Sequence, residues 1–261
     1  MLRRSNLTIK YLILFITVIL FTSAGYSFAD DASGLFNQAN GLYQKNDYQK
    51  AADLYQKLVD EGYEGTALYY NLGNSYYKLN KIGYAILNYE RALRLSPGDE
   101  DIQHNLALAN SRTIDKPDSL PQFFLFQWWE SLLALFSLTG WTWSAYFFYI
   151  LLLISIGIFF FIKNGTIQRF SLFSSLSFGF LFIITVVLLV IKLNREVNIK
   201  DGIIIKPAVT VKLAPDKDSN DAFVVHEGLK VQVEDQVDNW YKVRLQDGKI
   251  GWMPNNDLAV I

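Results

Sequence analysis

From residue 30 to residue 112 apolar and small side chains return every three to four positions, the spacing that lines them along one side of a helix. Asn46-Asp47 and Asn80-Lys81 interrupt that spacing, and Pro97-Gly98 closes it, because proline cannot continue a helix. The stretch therefore predicts two helix pairs, 32–65 and 66–99, followed by a single helix over Asp101–Arg112 that carries Leu106 and Ala107. A polar segment with two prolines, TIDKPDSLP over Thr113–Pro121, predicts a linker.

Beyond the linker the pattern loses its polar face. Gln122–Thr139 is apolar but broken by Gln127 and Glu130, and Trp128-Trp129 suits a helix lying in a bilayer interface with its indoles at headgroup depth. Reading it as a span instead would place Glu130 in hydrocarbon at a cost of about 2–3 kcal/mol. Residues 141–162 are 22 uncharged positions, roughly 33 Å of helix and enough to cross a bilayer core. Residues 171–191 form a second such run, separated from the first by a loop over 163–170 with Lys163 and Arg169. Neither run holds an ionisable residue, which argues against an ion or proton pathway. From Gly202 the period shortens to two. Thr210–Leu213, Lys230–Val233, Trp240–Leu245 and Ile250–Met253, set between Asp, Asn and Gly turns, predict a small β-barrel over 203–261.

The first helix pair is written again 34 residues later. Tyr69, Leu72, Gly73, Tyr76, Ala85, Tyr89, Ala92 and Pro97 fall where a tetratricopeptide (TPR) repeat places its large, small and helix-ending residues. Leu35, Ala39, Leu42, Ala51 and Tyr55 occupy the corresponding places of the first copy. Ala51 and Ala85 are small where paired helices must come close. Such stacks present a surface to other chains. On the exposed side of the first helix of each pair stand Phe36, Asn40 and Tyr43, then Tyr70, Asn74 and Tyr77. Asn40 and Asn74 recur at the period, and an amide both donates to and accepts from a peptide backbone. These six residues are the candidate peptide-binding groove. The basic clamp for a terminal carboxylate is not there: Phe36 and Asp101 occupy its places.

Composition narrows the function further. A net charge of −1 gives no reason to expect nucleic acid. With no cysteine, thiol catalysis and cysteine-ligated zinc are excluded. The two histidines, His104 and His226, lie in different domains, so neither a triad nor a histidine metal site can be assembled, and His226 reads as a turn residue. No phosphate-cradling or nucleophile-elbow motif is present. The expectation is a noncatalytic protein with no cofactor and no metal. Arg3, Arg4 and Lys10, the apolar run Tyr11–Phe21 and the small-x-small Ser27-Phe28-Ala29 predict a signal peptide over 1–29, with an uncleaved anchor as the alternative. Counting crossings from there puts both soluble domains on the far side of the membrane.

The last 60 residues resemble bacterial SH3 domains: His226-Glu227-Gly228-Leu229-Lys230 matches the turn and strand before Asn239-Trp240-Tyr241, and Gly248-x-x-Gly251-Trp252-Met253-Pro254-x-Asn256 matches the end of the domain. Trp240, Tyr241 and Trp252 are its candidate ligand contacts. The order signal peptide, two TPR units (30–112), linker and interfacial segment (113–140), two spans (141–162 and 171–191) and SH3-like domain resembles the BatE-like TPR–SH3 membrane proteins of the Bacteroides aerotolerance (Bat) operons. That resemblance implies a noncatalytic inner-membrane scaffold with periplasmic TPR and SH3-like domains. Its implied partners are von Willebrand A-domain membrane proteins and a MoxR-type ATPase. The alternative is a cell-wall sensor whose SH3-like domain binds peptidoglycan.

Overall fold

The computed structural model describes residues 29–116, 124–198 and 200–261. The expected signal peptide lies outside them, apart from its last residue. In the N-terminal unit, α1 (Ala29–Gln44) and α2 (Tyr48–Asp60) form a helical hairpin. Its turn is closed by Asp47 N–H donating to Leu42 C=O and Asn46 N–H to Tyr43 C=O, both 3.0 Å, with Asn46 at φ +62°. This left-handed exit satisfies the last helical carbonyls, and asparagine tolerates it better than most residues. Ala51 is fully buried between the helices, as its size predicts.

The second unit begins at Glu64. There α3 (Thr66–Lys78) and α4 (Ile82–Leu95) repeat the hairpin, down to Asn80 at φ +60° with Lys81 N–H on Tyr76 C=O. Gly73 sits where an added Cβ would come 2.7 Å from the Tyr89 ring, so glycine at this position lets the tyrosine lie in the helix–helix seam. Helix α5 (Glu100–Ser111), started by the Asp99 carboxylate on the N–H groups of Asp101 and Ile102, packs on α4 through buried Ile102, Leu106 and Ala109.

The described part of helix α6 (Phe124–Ala134) has 11 residues, about 16 Å. Its Glu130 pairs with Arg195, and its Leu133 packs with Trp141 and Leu188. Helices α7 (Leu138–Phe161) and α8 (Gly165–Asn198) are each long and apolar enough to cross a membrane. They run beyond the expected bounds at three of their four ends, and the expected loop over 163–170 shrinks to residues 162–164, because nothing between Gly165 and Phe170 breaks a helix. Of the small residues in the spans, Ser155 is buried in the α7–α8 seam, where its C=O accepts from the Ser171 hydroxyl, and Gly179 faces Leu152. Gly157 and Ser177 face outward.

Seven strands follow: β1 (Lys200–Ile204), β2 (Ala208–Lys212), β3 (Asp221–His226), β4 (Lys230–Val237), β5 (Trp240–Arg244), β6 (Ile250–Pro254) and β7 (Leu258–Val260). They make one antiparallel sheet in the order β3-β2-β6-β5-β4-β1-β7. Ile204, Val211, Val225, Val243 and Met253 fill its core.

Candidate functional site

On α1 and α3 the candidate groove residues recur at i, i+4 and i+7, which sets them on one helix face. The structure shows what holds them. In the first unit the Tyr55 hydroxyl donates to Asn40 Oδ1 at 2.5 Å, and the Tyr55 ring packs against Phe36 with centroids 5.7 Å apart. In the second unit Tyr89 repeats both contacts, donating to Asn74 Oδ1 at 2.7 Å and lying 6.1 Å from Tyr70. Each asparagine carbonyl is thus committed to the tyrosine 15 residues further on, across its own hairpin. A ligand N–H seeking that oxygen would compete with an almost wholly buried phenol. Tyr43 meets Tyr48 edge-on at 5.1 Å, whereas Tyr77 lies under the Arg112 guanidinium at 5.1 Å.

Asn105 of α5 was not singled out by the sequence. Its Nδ2 donates to the Tyr70 hydroxyl at 2.9 Å and to Asn74 Oδ1 at 3.0 Å, which ties the third helix to the α3 face. A signal for it existed: Asn37, Asn71 and Asn105 recur at the same 34-residue period.

In the β-domain the register pairs Trp240 with Pro254 and Lys242 with Trp252. Because successive strand residues point to opposite faces, Trp240 and Trp252 share one partly exposed face, diagonal to each other with Lys242 between. Tyr241 turns the other way and packs against the core beside Met253 and Val243. The structure therefore brings two of the three SH3-ligand candidates together and separates the third.

The same domain is fastened to α4. Gly83 allows the closest approach, since a Cβ there would sit 2.7 Å from the Ile204 carbonyl oxygen, and its N–H donates to the Glu227 carboxylate. Arg91 donates to Val260 C=O and Arg94 to Ile261 C=O, while Lys230 pairs with Glu90 at 2.9 Å and Asp201 at 3.4 Å. Burial pulls the Lys230 ammonium down, but the Glu90 and Asp201 carboxylates outweigh it and hold its pKa above the usual lysine value. Burial alone dominates at Arg91, which is lowered, and at Tyr69, which is raised. His226 is not in a turn: it ends β3, accepts the linker through Asp115, whose carboxylate takes its N–H, and places Nδ1 3.0 Å from Asp115 Oδ1. Asp115, 111 residues earlier in the chain, fixes it there, a contact no local pattern announces.

Among the described residues no group of three or more His, Cys, Asp or Glu could hold a metal ion.

A TPR-repeat family model matches residues 73–113, and a bacterial SH3-domain model matches residues 207–259. No curated protein matches the chain. The chain thus carries a TPR repeat and a bacterial SH3 domain, domain types that are typically noncatalytic and, for TPR, imply protein partners.

Proposed function

We propose that this protein is a noncatalytic, membrane-anchored scaffold whose TPR helices hold a segment of a partner protein. The observation that carries this reading is the Phe/Tyr–Asn–Tyr face written twice at one period and braced in each copy by a tyrosine of the pair's second helix, Tyr55 of α2 and Tyr89 of α4. A face preorganised by its own fold loses little further freedom when a peptide docks. Helices α7 and α8 supply the anchor, and α6 lies at the interface beside them, with Glu130 neutralised by Arg195 rather than buried alone. The resemblance to Bat proteins adds the finer reading: an inner-membrane protein with both soluble domains in the periplasm, working beside von Willebrand A-domain proteins and a MoxR-type ATPase in aerotolerance or envelope stress.

The test is recovery of partners with the tagged chain from gently solubilised membranes, comparing wild type with the Asn40→Asp, Asn74→Asp double variant. Aspartate keeps an acceptor for Tyr55 and Tyr89 but removes the amide donor and adds charge. A several-fold loss of the partner at unchanged thermal stability is expected. Undiminished recovery counts against the groove, and recovery without any A-domain or ATPase partner counts against the Bat assignment.

A second reading rests on the outward Trp240–Trp252 face, where aromatic rings could stack on cell-wall sugars. If it is right, the chain cosediments with purified peptidoglycan and Trp240→Ala abolishes the sedimentation.

A further inference from the structure

Where α4, the end of α8 and the β1–β7 side of the sheet converge, the second unit holds a cleft of about 650 Å³. This lies within the range of small-molecule sites, about 300–1,000 Å³. Five basic side chains line it, Arg94, Lys192, Arg195, Lys200 and Lys230, against the three carboxylates of Glu90, Glu196 and Asp201. Three of the cations are not matched by a described ion pair, and Arg94 among them donates to Ile261 C=O. Lys192 directs its ammonium to the main-chain oxygens of Leu133 and Phe136, and exposed Lys200 has no described salt-bridge partner. Apart from Gln103 the remaining wall is apolar, from Leu93, Pro97, Ala134, Val260 and Ile261.

The position of the cleft identifies the kind of ligand. Lys192 is the first charged residue after the uncharged run of α8, so the cleft opens at the depth where hydrocarbon gives way to headgroups. Leu193 and Val197, on the helix that forms one wall, are exposed and offer apolar surface beside it. Excess positive charge facing an apolar wall suits an amphiphile with an anionic head, whereas a soluble anion would gain nothing from Leu93 or Ala134.

We propose that this cleft binds the phosphate-bearing headgroup of an anionic phospholipid, with its acyl chains lying along α8. The proposal rests on α8 being embedded in a membrane, as argued above. Occupied in this way, the lipid would bridge the TPR helix α4, the anchor and the SH3 domain, since all three contribute lining residues.

The test uses the full chain in neutral detergent, titrated with phosphatidylglycerol or phosphatidylcholine of equal chain length and read by native mass spectrometry. One phosphatidylglycerol is expected to bind about tenfold more tightly than phosphatidylcholine, and Lys200→Gln should weaken it about fivefold, the effect of one basic residue near an anionic surface. Lys217→Gln, in the β2–β3 loop, serves as control and should change nothing. Equal binding of the two lipids, or equal behaviour of the two variants, overturns the proposal. Displacement of the lipid by millimolar inorganic phosphate, bound as tightly on its own, assigns the anion to a soluble source and overturns the lipid. Alkaline carbonate extraction of the native membranes is run alongside. Release of the chain defeats the membrane reading and this one together, whereas a retained chain without lipid preference defeats this one alone.

Discussion

The smallest unit of organisation in the helical region is a tyrosine hydroxyl on an asparagine oxygen. Tyr89 is almost wholly buried, its ring against Gly73 and its hydroxyl on Asn74. The two parts of that side chain contribute differently. Tyr89→Phe should cost about 1 kcal/mol, because Asn74 Oδ1 keeps its bond from Asn105, whereas Tyr89→Ala should cost about 3–5 kcal/mol by leaving a cavity beside glycine. Thermal unfolding of the two variants in the same detergent separates these values, and equal losses would show that the hydroxyl, not the ring, holds the hairpin. The consequence for the candidate groove is direct: Asn74→Ala perturbs fold and face together, so only a variant that keeps the acceptor can test binding.

Helix α6 illustrates what an element contributes that its residues do not announce. An apolar helix containing Glu130 is ambiguous as a string. Its carboxylate meets Arg195 of α8 at a half-exposed site. Both side chains are more than a third exposed, so the pair should couple by less than about 1 kcal/mol in a double-variant cycle, Glu130→Gln against Arg195→Gln. Trp141→Ala should be far more damaging, since that ring is buried with Leu133 and Leu188 and its indole N–H donates to Leu133 C=O. If the cycle gives a larger coupling than the tryptophan variant gives loss, charge rather than packing docks α6. The helix ends behave more regularly. The turns at Asn46-Asp47 and Asn80-Lys81 were legible because a left-handed residue after a helix has few candidates, and asparagine is one of them.

At the scale of the whole molecule the decisive contact is that between α4 and the SH3 domain, and it is partly electrostatic. Lys230 has its pKa raised in the folded state by Glu90 and Asp201. A raised folded pKa means that the stabilisation is fully present below the unfolded lysine value, near 10.4, and is lost as pH rises through the folded value. Thermal stability should therefore fall in the alkaline range with a component that Lys230→Met removes. The neutral range should show no such component. A Lys230→Met variant that follows the wild-type alkaline profile would place the loss elsewhere, with Tyr69, whose burial-raised pKa acts in the same direction, as the next group to change.

Much of this protein follows from local pattern. The 34-residue period specifies helix pairs because small and large residues must meet at fixed turns, the long uncharged runs specify helices able to cross a bilayer because an unpaired backbone cannot sit in hydrocarbon, and the alternation after Gly202 specifies strands. Each of these signals is carried by residues close together in the chain. The tyrosine–asparagine brace, the inward turn of Tyr241, the Asp115–His226 clasp and the seating of Gly83 against Ile204 depend on groups from different elements. Gly83 shows the difference most plainly: in the sequence it is a weak helix residue, and only the carbonyl lying where its Cβ would be explains it. Periodicity determines what each segment becomes, whereas the fit between segments distant in sequence, which no local spacing encodes, is decided by tertiary packing.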